Sequence, residues 1–292
     1  MLSEREPVID GAGYQMLSEE EKAQFSLDGY LVVPGLVPDE LCDAVIEVIL
    51  EFAGVNMKDE STWYQPGFEG HGIVPLHHHQ TLWDLRQYEP IHEAFADLYG
   101  TDNLWVSNDR VSYKPPADER SSHWQRSRVH WDCDPWTESQ LRIQGLVYLT
   151  DTAVDQGAFT CAPGVFRQID AYLTEHADDK NRRFPRLEET DLVSVPGEKG
   201  SLVMFNRLVP HTSGINQSSQ HRFVQYVTMM VADEALRQRT ITEWRDNLLP
   251  DWALKQPVSG DKTRDEGPPA ELTAHGRKLV GLDPWQESSE TM

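Results

Sequence analysis

Apolar positions change their spacing partway along this chain. Over residues 14–100 they recur at intervals of three and four, whereas from Asn103 to Ala232 they bunch into short runs. The clearest helix follows Pro38: Leu41, Val45, Ile49 and Phe52 share one face, and Gly54 supplies the stop. Ser18 with Glu21 forms a capping box for an earlier helix reaching Leu27. Gly29 to Val33 reads as a compact strand closed by Pro34 and Gly35. Leu82, Leu85 and Tyr88 continue the helical pattern beyond a polar, aromatic loop from Asp59 to His79.

The second region predicts strands at Leu104 to Tyr113, Val129 to Asp132, Leu141 to Leu149, Ala158 to Cys161, Leu192 to Val195, Ser201 to Phe205 and Arg222 to Val231. Gly, Pro and Asp punctuate them, as at Pro115-Pro116, Asp155-Gln156-Gly157 and Pro196-Gly197. Many short strands without long intervening helices imply a mainly β fold with flanking helices, an antiparallel sandwich or barrel. Gln168 to Glu189 reads as a charged, partly helical insert, and Asp261 to Pro269 as a mobile linker to a last segment, Leu272 to Trp285. One domain is expected over 1–292: a mostly helical part at 14–100, a β core at 103–232 and a C-terminal extension at 233–292.

Charge narrows the partners. With 48 acidic against 26 basic residues the net charge is -22, which argues against nucleic acid or an anionic membrane surface. No apolar run approaches the ~18 residues of a membrane span, and the first residues are polar, so a soluble cytoplasmic protein is expected. Cys42, Cys133 and Cys161 have no CxxC spacing and suggest neither disulfides nor a thiolate metal site. Cys133 is expected to pack on the strand face opposite Asp132.

Candidate chemistry begins at His130-Trp131-Asp132. On a strand, His130 and Asp132 project to one side, as two corners of a metal site would. The triplet alone is common, and His176-Ala177-Asp178 repeats it within the charged insert, where residues two apart on a helix diverge by roughly 200°. A buried His bonded to a neighbouring acid would explain the first triplet equally. Downstream, Gly200 to Phe205 reads as a buried strand with His211 at its exit. Two histidines and one carboxylate make the facial set of non-haem Fe(II) oxygenases. Arg222 opens the next apolar strand, and a guanidinium entering a core needs an anion, either a ligand carboxylate or one of the chain's many acids. The run His77-His78-His79 lacks an acid at ligand spacing; a wall of the pocket, with His79 the candidate, is the role it suggests.

Taken together, these residues resemble the phytanoyl-CoA dioxygenase family of Fe(II)/2-oxoglutarate-dependent oxygenases. The resemblance runs from Phe25 to Pro34, through Tyr113-Lys-Pro-Pro116 and His130-x-Asp132, to the His211 region and Gly276 to Trp285. In that family a hydroxyl residue follows the distal histidine by two positions and a basic residue by eleven; Ser213 and Arg222 match both. The resemblance implies a double-stranded β-helix (jelly-roll, cupin-like) core, Fe(II) on His130, Asp132 and His211, and 2-oxoglutarate bound by Arg222 and Ser213 beside Tyr148. It further implies O2 as the oxidant, with release of succinate and CO2 and oxidation, most simply hydroxylation, of a substrate C-H bond.

The chain departs from the family at Pro163-Gly164-Val165-Phe166, where many members read Pro-Gly-Ser-His. No coenzyme A patch is evident, so the acyl-CoA of the family name is not carried over. Asp132 retains the carboxylate that related halogenases replace, which favours oxygenation. Asn108, Arg110, Arg142 and Gln144, with Arg126, Arg128 and Arg207 near the ligands, suggest a small and anionic substrate. Two rivals make separate predictions: a cupin-like metal enzyme would show no dependence on 2-oxoglutarate, and a silent ligand-binding member would have lost a ligand residue.

Overall fold

The computed structural model of the chain describes residues 8–10, 13–64, 71–119, 121, 125 and 127–285. A small hairpin, β1 (Val8–Asp10) with β2 (Gly13–Gln15), precedes α1 (Glu19–Asp28). The capping box is formed: Ser18 Oγ accepts from the Glu21 amide and the Glu21 carboxylate accepts from the Ser18 amide at 2.9 Å. Next come β3 (Tyr30–Val33) and α2 (Asp39–Ala53), which ends where Gly54 takes the left-handed conformation at φ 64. Then β4 (Ile73–Val74) leads to α3 (Gln80–Arg86) and α4 (Glu89–Tyr99).

The larger sheet runs β3-β10-β7-β12-β6-β4, with β6 at Val111–Lys114, β7 at Ile143–Tyr148, β10 at Leu202–Asn206 and β12 at Arg222–Tyr226. At one end β13 (Met229–Val231) joins β5 (Leu104–Val106) and touches β7. The smaller sheet is β11-β8-β9, with β8 at Phe159–Cys161, β9 at Val193–Val195 and β11 at His211–Ser213. All pairings are antiparallel, so the core is the jelly-roll type that the short, turn-punctuated runs implied.

Strand alternation divides the interior in two. Leu31, Val147, Leu202, Met204 and Phe223 face α2, α3 and α4 in the larger hydrophobic cluster. Their neighbours Leu146, Tyr148, Val203, Phe205 and Val224 face the smaller sheet and meet Phe159, Cys161 and Val195. The N-terminal helices thus cover the outer face of the large sheet, and the inner face is left for a pocket.

Three expectations need correction. Leu104 to Tyr113 and Arg222 to Val231 each break in two, giving β5 and β6, and β12 and β13. Val129 to Asp132 is no strand: only His130 pairs, as a single bridge to His211. Asp261 to Pro269 is no mobile linker, because the segment is bonded along its length. Leu249 N–H donates to Thr263 O at 3.1 Å, Asn247 Nδ2 to Gly267 O at 3.0 Å, and Asp265 accepts the amides of His77 and His78. Its polar composition hid these partners, all distant in sequence.

The histidine run is what this strap binds. His77 Nε2 lies 3.2 Å from Asp261 and the guanidinium of Arg110 pairs with the same carboxylate at 2.5 Å, all three side chains buried. His78 bonds Leu248 O at 3.1 Å and receives Trp83 Nε1–H at 3.3 Å, and burial with Arg86 nearby pushes its pKa down to about 3. Among the described residues, no helix is long and apolar enough to cross a membrane.

Candidate metal centre and co-substrate pocket

His130 and His211 come from different segments and are fastened backbone to backbone. Each amide donates to the other's carbonyl at 3.0 Å, and the rings stand 4.8 Å apart. His130 Nδ1 bonds Arg128 O at 2.9 Å and His211 Nδ1 bonds Val209 O at 3.1 Å. A carbonyl only accepts, so each Nδ1 carries a proton and each Nε2 is the ring atom turned toward the centre of the site. Those Nε2 atoms converge on Asp132: 3.4 Å from His130 to Oδ1 and 3.5 Å from His211 to Oδ2. The three ligand atoms lie within 4.8 Å of one another, and no other group of this kind occurs among the described residues. His176, the look-alike, caps a helix (Ile169–Glu175) and packs on Tyr172 at 4.3 Å.

Burial opposes ionisation of Asp132, but bonds to the two histidines outweigh it and hold the carboxyl well below the usual range. Gln144, on β7, donates Nε2–H to Asp132 Oδ2 at 2.9 Å. Trp131, between the ligands, is buried, bonding Leu208 O through Nε1 at 2.8 Å and Arg183 O through its amide at 2.9 Å. Two imidazole nitrogens and a carboxylate, each held from behind, are the donor set Fe(II) prefers.

A cationic pocket begins one strand step beyond His211. Ser213 faces the same side, roughly 7 Å along β11. Its Oγ accepts from Lys114 Nζ at 2.7 Å. Lys114 on β6 stands directly opposite Arg222 on β12, and both are fully buried. Arg222 donates to Ser112 Oγ at 2.8 Å through one nitrogen, while Nε and the other terminal nitrogen have no partner among the described residues. Lys114 bonds the carbonyls of Gln125 and Gly214, and no carboxylate among the described residues pairs with either cation. Burial first, and then Arg222, depress the Lys114 pKa well below its ordinary value. A buried guanidinium with two orphaned nitrogens beside a buried lysine fits an anionic ligand. Lys114 was not among the candidates from sequence, though a lysine closing the apolar strand Val111–Lys114 was the available signal.

Tyr148 lies on the same inner face. Its hydroxyl donates to Val195 O at 2.7 Å and accepts the Phe159 amide at 2.9 Å, so it offers the pocket its ring rather than its hydroxyl. Gly197 admits that ring: a Cβ there would sit 2.6 Å from it.

The remaining candidates separate. Gln144 touches the metal motif, as above. Arg110 is buried in its pair with Asp261, Asn108 is buried with Oδ1 unpartnered, and Arg142 bonds Gln140 at 3.0 Å near the surface. His79 is exposed and caps α3, its Nδ1 accepting from the Thr81 amide at 3.2 Å, which gives it a structural task in place of pocket lining. Arg207 donates to Asp132 O and pairs with Glu138 at 3.6 Å; Arg128 stacks on Phe184 at 4.5 Å. Cys133 contacts Arg207 O at 3.5 Å and is half-buried. Arg126 lies outside the described residues.

Comparison with known proteins fits this arrangement. A family model for phytanoyl-CoA dioxygenase (PhyH) matches residues 25–224, a stretch that holds His130, Asp132 and His211 as well as Lys114, Ser213 and Arg222. A Dictyostelium discoideum protein named for phytanoyl-CoA dioxygenase is 20% identical over 254 residues, covering 70% of this chain and 72% of its own. Among solved structures, the GlcNAc-inducible gene 2 protein of Candida albicans superposes with a TM-score of 0.70 at 12% identity, over 94% of this chain and 78% of that one. The epimerase SnoN, solved with Fe3+, alpha-ketoglutarate and a nogalamycin compound, gives a TM-score of 0.52 at 17% identity, over 87% and 95%. The chain belongs to the phytanoyl-CoA dioxygenase family, and with it to the non-haem Fe(II) dioxygenases that use 2-oxoglutarate and O2.

Proposed function

We propose that the chain hydroxylates a C-H bond of a small molecule, converting 2-oxoglutarate to succinate and CO2, at a centre held by His130, Asp132 and His211. The observation that carries this reading is the buried Arg222, whose Nε and one terminal nitrogen lack partners among the described residues, beside Lys114, which in turn bonds Ser213 two residues beyond His211. Arg222 and Lys114 would hold the far carboxylate of a dicarboxylate co-substrate. Iron and 2-oxoglutarate supply the oxidising chemistry when bound.

The chain's own residues orient and exclude. Arg222 offers a guanidinium fork to the far carboxylate, Lys114 an ammonium, and Ser213 the hydroxyl hydrogen left after it accepts from Lys114. The Tyr148 ring, Leu146, Val203 and Val224 supply a dry wall. Gln144 and Arg207 grip Asp132 from its carboxylate and carbonyl, so the ligand does not turn away as substrate enters. The retained Asp132 favours oxygenation over halide transfer.

The test is release of succinate and labelled CO2 from 2-oxoglutarate under O2 with Fe(II). Wild type should turn over slowly without substrate, Asp132→Ala should not, and equal rates in both would remove the proposal.

A further inference from the structure

Beside the metal centre, one guanidinium shares the carboxylate of Asp132 and a second has no ion pair among the described residues. In a chain of net charge -22 several neighbouring arginines are matched: Arg110 with Asp261, Arg207 with Glu138, Arg182 with Asp134 and Arg186 with Asp179. Arg183 is different. Its nearest carboxylate is that of Asp132, at 3.9 Å, and its other contact is the neutral Gln256 side chain at 2.7 Å. Its backbone carbonyl accepts the Trp131 amide at 2.9 Å, so the residue is anchored over the metal motif while its side chain stays 43% exposed. Arg128 has no carboxylate within ion-pair distance among the described residues. It stacks on Phe184, whose ring also lies under Arg183 at 6.0 Å. Arg128 and Phe184 line a cavity of about 420 Å³ with Arg186, Lys180 and the acids Asp178 and Asp179, of which Asp179 is taken by Arg186.

We propose that Arg183 and Arg128 form a subsite for an oxyanion on the substrate, a carboxylate or a phosphate-type group. This rests on the metal and 2-oxoglutarate reading above. Once Asp132 is shared with a divalent cation, it no longer compensates Arg183, and like charges a few ångströms apart repel. The 2-oxoglutarate carboxylates are drawn to the metal and to Lys114 and Arg222, so they do not neutralise the mouth either. An anionic substrate supplies the missing charge. Gln256, on the C-terminal extension, then holds the Arg183 fork in register until the anion arrives, and Phe184 gives both guanidiniums a common platform for an adjoining apolar body.

The experiment uses protein loaded with Mn(II) and N-oxalylglycine, a pair that does not turn over, with fluorine relaxation of three probes near the paramagnetic ion. The probes are 4-fluorobenzoate, 4-fluorophenylphosphonate and the neutral 4-fluorobenzamide. At least one anion should bind about tenfold more tightly than the amide, as charge-assisted hydrogen bonds imply. The better of the two anions identifies the oxyanion. Arg183→Glu with Arg128→Glu should abolish that preference, and Arg183→Lys should keep part of it. An amide that binds as well as the anions, no anion binding at all, or a preference that survives the double variant would overturn the subsite. Water-proton relaxation reports Mn(II) binding separately; wild type that fails to hold Mn(II) would overturn the metal reading together with this one.

Discussion

Lys114 and Arg222 face each other across β6 and β12, both fully buried and neither paired with a carboxylate among the described residues. A bound dicarboxylate would change that environment, and the sign can be worked out. Without ligand, burial and Arg222 lower the Lys114 pKa well below 10.5, so in the window between that depressed value and 10.5 the folded protein lacks a proton that the unfolded chain holds. Stability without ligand therefore rises with pH across that window. A bound anion restores the ammonium, so 2-oxoglutarate binding should take up a proton there. Calorimetry in buffers of different ionisation enthalpy measures it, and uptake should vanish in Lys114→Met.

Arg222→Met should separate ligand binding from folding. Losing charge-assisted bonds worth roughly 1.5–3 kcal/mol should weaken 2-oxoglutarate binding about 10–100-fold. The protein without ligand should be no less stable than wild type, because the substitution removes a buried cation with two unsatisfied nitrogens. Thermal melts with and without Mn(II) and 2-oxoglutarate read both; an unchanged ligand-induced shift would make Arg222 structural.

Gln144→Leu removes the 2.9 Å bond that steadies Asp132 Oδ2. Metal affinity should fall about 10–100-fold, the usual effect of losing a partner behind a metal ligand. Mn(II) titration checks it, and an unchanged affinity would show that His130, His211 and Arg207 suffice to hold Asp132.

Asp261→Ala should destabilise the fold rather than touch the chemistry directly. It leaves Arg110 buried without its partner and removes the acceptor of His77, a change of the kind that costs about 3–5 kcal/mol. His78 adds an acid dependence. Its pKa falls to about 3 in the fold against 6.5 in the unfolded chain, so stability should decline as pH drops from 6.5 toward 3, by up to about 1.4 kcal/mol per pH unit from this group. Urea unfolding across that range, with His78→Asn for comparison, measures the slope.

Much of this was legible in the sequence, for identifiable reasons. Helix ends were marked by local chemistry at Ser18, Glu21 and Gly54, and the cluster of His130, Asp132 and His211 was reached from donor type, although the strand expected at Val129 to Asp132 is not there. What failed was non-local. His130 is held by one bridge to His211 rather than by a strand, and the polar strap at Asp261 to Pro269 is ordered by partners as distant as His77 and Arg110. His79 stands beside the residues that bind this strap, yet it serves only as a helix cap. Lys114 was hidden because a lysine is ordinarily a surface residue, and only the register of β6 against β12 brings it beside Arg222.

The most direct measurement is anaerobic addition of 2-oxoglutarate to protein loaded with Fe(II), followed by visible absorption. Wild type should develop a metal-to-ligand charge-transfer band that His211→Ala lacks and that bleaches on admitting O2 as succinate forms. Absence of both band and succinate in wild type would contradict the account.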